Sequence, residues 1–268
     1  MKAIIFEKRG HTAWITLNRP EANNTLNGDM FLELNDVWDE LRDDKTVRAI
    51  ILTAAGEKDF CCGGDLGSVI PLWNGSKQPK NDTERRLLAE KGIVSKVLLR
   101  QRQIVKPIIC AVNGRALGGG TEMLQATDIR ISVPEAAFAL TEPKVGIVPG
   151  GGSMVRLPRQ IPWAHAMKIL LTGEFIPAAE ALQMGLISEI VERDQLLVRA
   201  EELADKISKL APLAVQAIKR TALETAHMSW TDAFAFENEQ AKIVMKSQDA
   251  QEGPRAFMEK RKPNFIGE

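Results

Sequence analysis

Ile108 to Glu142 reads I-I-C-A-V-N-G-R-A-L-G-G-G-T-E-M-L-Q-A-T-D-I-R-I-S-V-P-E-A-A-F-A-L-T-E, and the fold is decided there. Ile108 to Val112 is apolar without a break, which predicts a strand buried on both faces. The run empties into Asn113-Gly114 and then into Gly118, Gly119 and Gly120, after which Thr121 to Leu124 open a helix. A glycine turn between strand and helix leaves backbone N–H groups uncovered, and the helix dipole turns its positive end toward the same point. That arrangement binds negative charge, including charge that exists only part-way through a reaction. Glu122 stands in the first helical turn and Glu142 follows later, so two carboxyls accompany the anion site.

Upstream, Arg48 to Ala54 is a second unbroken apolar run; it leads through Gly56 to a second bare-amide loop, Phe60-Cys61-Cys62-Gly63-Gly64-Asp65-Leu66. Lys2 to Phe6 and Ala13 to Leu17 read as strands around a turn at Arg9-Gly10. Asn27 or Asp29 caps a helix with Met30, Leu32, Leu34, Val37 and Leu41 at apolar positions. Gly67 to Asp82, with Pro71, Pro79 and Asn74-Gly75, reads as a flexible surface segment whose Val69, Ile70, Leu72 and Trp73 offer an apolar wall. One long helix is expected from Asp82 or Thr83 to about Val105. Asp128 to Ser132 and Ala137 to Leu140 are short strands, and Pro149 to Ser153 turns into a helix starting at Met154. Beyond Pro162 the chain reads as mainly helical, with apolar stripes at Ala200, Leu203, Ala204, Ile207 and Leu210, then at Ala214, Val215, Ile218 and Ala222. Helices at Trp230 to about Lys246 and Ala250 to Lys260 complete it. The expectation is an α/β core over residues 1–200 and a C-terminal helical region over 201–268, an extension suited to subunit packing.

Composition narrows the class. The chain has 268 residues, 44% hydrophobic and 26% charged, enough to bury a sizeable core. Lys plus Arg and Asp plus Glu are 35 each, so no bulk field favours nucleic acid or an anionic membrane. Three cysteines form neither a disulfide framework nor a zinc pattern and suit a reducing, cytoplasmic setting. The three histidines have no ligand spacing, so no metal site is expected. No apolar run reaches membrane-spanning length, and the N-terminus lacks a signal peptide's long apolar stretch. Ser153 lacks the G-x-S-x-G frame, and the glycine clusters match neither a P-loop nor a dinucleotide fingerprint. Cys62 has no evident partner base and reads as a small pocket residue. Trp163, Phe234 and Phe236 are expected in the core.

Taken in order, the motifs resemble the crotonase, or enoyl-CoA hydratase/isomerase, superfamily. The resemblance runs through Leu17-Asn18-Arg19-Pro20-Glu21-Ala22, Leu26-Asn27, Phe60 to Leu66, Ala111-Val112-Asn113-Gly114 and Ala116 to Glu122. It continues through Phe138 to Glu142, Gly146 to Gly152, Ala179 to Leu186 and Glu252 to Arg261. It implies a spiral of ββα units with C-terminal helices, assembled as homotrimers or dimers of trimers. It implies an acyl-CoA thioester substrate, with coenzyme A as part of that substrate and no separate cofactor. The positions of the family's oxyanion-hole amides match Gly64 and Gly119, and those of the hydratases' two glutamates match Glu122 and Glu142. Ala22, Asn24, Cys62, Gly63, Asp65, Leu66 and Gly118 match its substrate-binding positions. The expected reaction is hydration of a 2-enoyl-CoA through an enolate. Isomerisation, dehydration of a carnitinyl or hydroxyacyl thioester, and thioester hydrolysis are alternatives on the same scaffold; a noncatalytic acyl-CoA- or RNA-binding role is a further one. Departures are Gly67-Ser68, where many members carry a basic residue, and Thr141, which replaces a commoner proline. Lys144, Arg156 and Lys260 are candidates for the coenzyme's phosphates.

Overall fold

The computed structural model describes residues 2–101 and 104–268. Among the described residues ten strands run as β1 (Ile4–Arg9), β2 (Thr12–Leu17), β3 (Ala49–Ala54), β4 (Asp59–Cys61), β5 (Ile108–Val112), β6 (Arg115–Leu117), β7 (Ile129–Ser132), β8 (Ala137–Ala139), β9 (Ile176–Pro177) and β10 (Glu189–Ile190). The helices of the first half are α1 (Gly28–Asp43), α2 (Val69–Trp73), α3 (Asp82–Ala89), α4 (Ile93–Val97) and α5 (Gly119–Leu124). Those of the second are α6 (Ser153–Gln160), α7 (Trp163–Thr172), α8 (Ala178–Gln183), α9 (Leu196–Ser208), α10 (Pro212–Thr225), α11 (Trp230–Met245) and α12 (Gln248–Met258).

Strands go by turns to two sheets. The first has the order β1-β2-β3-β5-β7-β10 and is parallel except at the β1–β2 hairpin; the second has the order β4-β6-β8-β9. Each of β3–β4, β5–β6 and β7–β8 therefore gives one strand to each sheet before a helical stretch returns the chain. That alternation is a spiral of ββα units, as the motifs imply. Every residue of β3 and β5 is buried, which accounts for their unbroken apolar sequence. The corner between β5 and β6 has to be glycine: a β-carbon on Gly114 would lie 2.2 Å from the Lys58 carbonyl oxygen.

The hairpin, α1 with its Asn27 cap and the C-terminal helices follow the sequence reading. Two stretches depart from it. Gly67–Asp82 contains α2, which buries Val69 and Leu72, so this segment is ordered by its own apolar side chains. The expected single helix to Val105 is broken: α3, capped by Asn81, ends at Ala89, Gly92 turns to φ +74°, and Leu99 stands at φ +52° after α4. Residues 102 and 103 of that expected helix lie outside the described ones. Trp163 and Phe234, expected in the core, are 68% and 54% exposed because each sits on the outer face of its helix.

The C-terminal helices are tied to the core by polar side chains. The Lys219 ammonium on α10 bonds the Asp128 carboxylate at 2.6 Å and the Lys106 carbonyl at 2.8 Å. The Arg48 guanidinium donates to the carbonyls of Ser208 and Phe265. Residue 200 lies inside α9, whose Ala200 and Ala204 are fully buried, so this helix belongs to the core layer.

Candidate active site

The two glycine loops meet. Gly64 follows β4 and Gly119 opens α5, while β4 and β6 are paired in the second sheet. A β-carbon on Gly119 would stand 3.4 Å from Gly63 Cα and 3.6 Å from the Gly64 nitrogen. Leu26 bridges to the first loop on both sides of Gly64, donating to the Gly63 carbonyl and accepting from the Asp65 N–H. This leaves the Gly64 N–H out of the bridge. The Gly119 N–H is one of those a helix start cannot satisfy internally. Thr121 fixes this helix start by donating to the Ala116 and Ala139 carbonyls.

Both glycines, with Glu122 and Glu142, line a cavity of about 490 Å³. Glu122 is 3% exposed. Its Oε1 accepts the Ser153 N–H at 3.1 Å, at the start of α6, and the amides of Gly151 and Gly152 also turn to this carboxylate. Burial pushes the Glu122 carboxyl above its ordinary range, while these amides and the helix dipole oppose the shift. A side chain on Gly151 would have to displace Glu122 itself, since its β-carbon would meet Leu98 Cδ1 at 2.2 Å and Glu122 Oε2 at 2.5 Å.

Glu142 begins the short 3-10 turn Glu142–Val145 and lies across the cavity, its Oε1 3.0 Å from where a Gly118 β-carbon would be. Its Oε2 is buried with no partner. Burial, with the Glu122 charge adding to it, pushes this carboxyl up to about 7. The two carboxyls thus differ in kind: one sits in a nest of amides, the other has an unpaired oxygen in an apolar setting.

A raised carboxyl makes folding pH-dependent. The folded chain holds the Glu142 proton more tightly than the unfolded one, so the stability it contributes is complete below the ordinary value of 4.5 and is lost as pH rises through about 7. Glu142→Gln, which cannot ionise, should therefore melt higher than the parent by about 2–4 °C at pH 8 and show no gain at pH 4. Thermal melts at the two pH values check this.

Cys62, Gly63, Leu66 and Gly118 line the same cavity, whereas Ala22, Asn24 and Asp65 are not on its wall. Asn24 is fully buried and structural: its side chain accepts from the Arg19 N–H and donates to the Ala55 and Asp59 carbonyls. Asp65 caps the turn into α2 by accepting from the Gly67 and Ser68 N–H groups. The Cys62 thiol donates to Asp59 and is pushed up to about 12 by burial, which removes it as a nucleophile. Of the phosphate candidates, Arg156 donates to the Leu98 and Leu99 carbonyls and holds the α4 exit, while Lys144 stands on the cavity wall. The Gly151–Ser153 nest for Glu122 escaped the sequence reading. Its signal was present in Pro149-Gly150-Gly151-Gly152-Ser153 before a helix, the same logic that marked Gly118–Gly120. Among the described residues no group of His, Cys, Asp and Glu could hold a metal ion, and no helix is long and apolar enough to cross a membrane.

Known proteins resemble this chain from end to end. A family model described as Enoyl-CoA hydratase/isomerase matches residues 7–268. The chain is 45% identical to the enoyl-CoA hydratase EchA19 of Mycobacterium tuberculosis, over 97% of this chain and 95% of that protein. It is 39% identical to the (E)-benzylidenesuccinyl-CoA hydratase of Thauera aromatica, over 98% and 99%. The crystal structure of an enoyl-CoA hydratase from Mycobacterium tuberculosis superposes with a TM-score of 0.89 at 35% identity, covering 100% of both chains.

Proposed function

The chain belongs to the enoyl-CoA hydratase/isomerase family, and from that footing we propose that it is an enoyl-CoA hydratase, a hydro-lyase adding water syn across a 2-enoyl-CoA double bond. One observation carries the reading: two unlike carboxyls face one apolar cavity whose wall also carries two uncommitted glycine amides.

The chemistry needs each part. In this reading the Gly64 and Gly119 N–H groups take the thioester oxygen, where negative charge grows as C3 is attacked. Glu122, whose carboxylate form accepts the amides at the start of α6, takes a proton from water as its oxygen bonds to C3. Glu142 delivers its proton to C2, and the proton left on Glu122 passes back to Glu142 between turnovers. Bond making and proton count close without a further cofactor. Coenzyme A enters as part of the substrate.

Purified protein should consume crotonyl-CoA and yield 3-hydroxybutyryl-CoA, followed by loss of the conjugated-enoyl absorbance. An unchanged spectrum across a range of enoyl thioesters would sink the reading. The kcat profile should be bell-shaped. It rises with pH as Glu122 ionises and falls as pH passes about 7, where Glu142 loses the proton it must give. A rate flat from pH 5 to 9 would remove Glu142 as the acid.

The same reading includes assembly as a homotrimer or a dimer of trimers through the helices after α9, and a cytoplasmic setting. Exposed Ile218, Trp230, Phe234 and Met245 on α10 and α11 support the first, since water-facing apolar side chains at this density mark a contact surface. Three free thiols support the second.

A further inference from the structure

The cavity is much larger than the reacting atoms need, and its wall changes character away from the carboxyls. Leu26 Cδ1 lies 3.7 Å from a Gly119 β-carbon and Ile70 Cδ1 lies 3.3 Å from one on Gly64, so these two side chains flank the amide pair. Beyond them stand Phe31 on α1 and Trp73 on α2, edge to face, with ring centroids 5.1 Å apart and planes at 79°. Val94 and Leu98 from α4 complete the wall. Three separate segments thus converge on one hydrocarbon surface, to which, among the described residues, they contribute no charged side chain. Lys144, also on the cavity wall, holds its ammonium over the Phe175 ring at 5.8 Å, and Phe175 is not part of that wall.

Resting on the hydratase reading, we propose that the Phe31–Trp73 pair is the specificity element and that the substrate class is 2-enoyl-CoA with an uncharged, medium-chain hydrocarbon tail. A tail reaching past C4 removes its own apolar surface, and that of Ile70 and Trp73, from water. Phe31 is already 2% exposed and rigid, while Trp73 is 38% exposed, so Trp73 is the member whose free face a tail would cover. A carboxylate or quaternary ammonium on the tail would be stripped of water beside this apolar wall, whose own side chains supply no counter-charge. The (E)-benzylidenesuccinyl thioester named for one relative carries such a charge, and this wall disfavours it.

The test is kcat/KM of the full-length protein on the 2-enoyl-CoA thioesters of four, six, eight and ten carbons, with crotonobetainyl-CoA as the charged probe. Each methylene buried in the transition state is worth up to about fourfold, so the eight-carbon substrate should exceed the four-carbon one by roughly tenfold or more. Trp73→Ala should collapse that ratio toward one. Trp73→Phe should restore part of it, a recovery that a merely misfolded variant would not show. Calorimetric binding of saturated octanoyl-CoA against butyryl-CoA gives the same comparison independently of turnover. Hydration of crotonyl-CoA with equal or poorer rates on longer chains, an eight-to-four ratio unmoved by Trp73→Ala, or crotonobetainyl-CoA used as well as crotonyl-CoA would each overturn this proposal and leave the hydratase reading standing. Inactivity on the whole panel would overturn the hydratase reading itself.

Discussion

Glu122→Gln is expected to lower kcat for crotonyl-CoA hydration by about a thousandfold, within the roughly 10²–10⁴ that a lost general acid or base costs. Glutamine keeps the shape of the side chain and its carbonyl oxygen can still accept the Ser153 N–H, although its NH2 group can accept nothing from the Gly151 and Gly152 amides. What it cannot do is take a proton from water. Glu142→Gln should lose a similar factor, because its amide has no proton of comparable acidity for C2. The double variant should be little worse than either single one, since two groups that serve one transition state do not contribute independently. KM should move far less than kcat, as the amide pair and the apolar wall are untouched. Stopped-flow or steady-state assays on the three variants decide the matter. A drop below tenfold for Glu122→Gln would mean that this carboxyl is a structural acid. If Glu142→Gln abolished hydration but left double-bond isomerisation intact, the second glutamate alone would be the one that commits the site to water.

Gly120→Ala is expected to be a severely damaging methyl group beside the site. The added carbon would stand 2.0 Å from the Cys61 carbonyl oxygen and 2.8 Å from its carbon. Both are backbone atoms of a buried strand, so no side chain can swing aside. The helix α5 has to back away from β4, which costs about 3 kcal/mol or more. The same displacement pulls Gly119 from Gly64, so the surviving folded molecules should also turn over more slowly. Urea unfolding together with kcat per folded molecule separates the two losses. An alanine variant with the parent's midpoint and rate would show that the two loops are not held in contact by this helix.

The parts of this fold that could be read in advance are those whose cause is local. Unbroken apolar runs gave away β3 and β5 because a strand covered on both faces has no reason to alternate. The Asn27 cap was legible because one side chain does the capping within three residues. The break after α3 was half legible: Gly92 is an evident place for a left-handed turn, but nothing in Leu99 announces φ +52°. That leucine is fixed by its burial and by Arg156, which bonds its carbonyl from 57 residues away. The site divides in the same way. Gly64, Gly119, Glu122 and Glu142 could be picked out through ordered motifs, and all four reach one cavity. Asn24 and Asp65 carry equally recognisable motif positions but serve the chain's own turns. Side-chain type does not distinguish a residue that holds a loop from one that holds a ligand.

The nest that receives Glu122 is made of main-chain atoms from a segment up to 31 residues downstream, packed so closely that a β-carbon on Gly151 would push the Leu98 and Glu122 side chains out of place. In a saturation scan scored by turnover alone, Gly151 would therefore rank with the proton-transfer residues, although it has no functional group to lose. Scored beside cellular abundance, its substitutions should separate from those of Glu142: the first would deplete protein and rate together, the second rate without loss of protein. Geometry imposed by crowding and chemistry imposed by ionisation leave different signatures in such a data set.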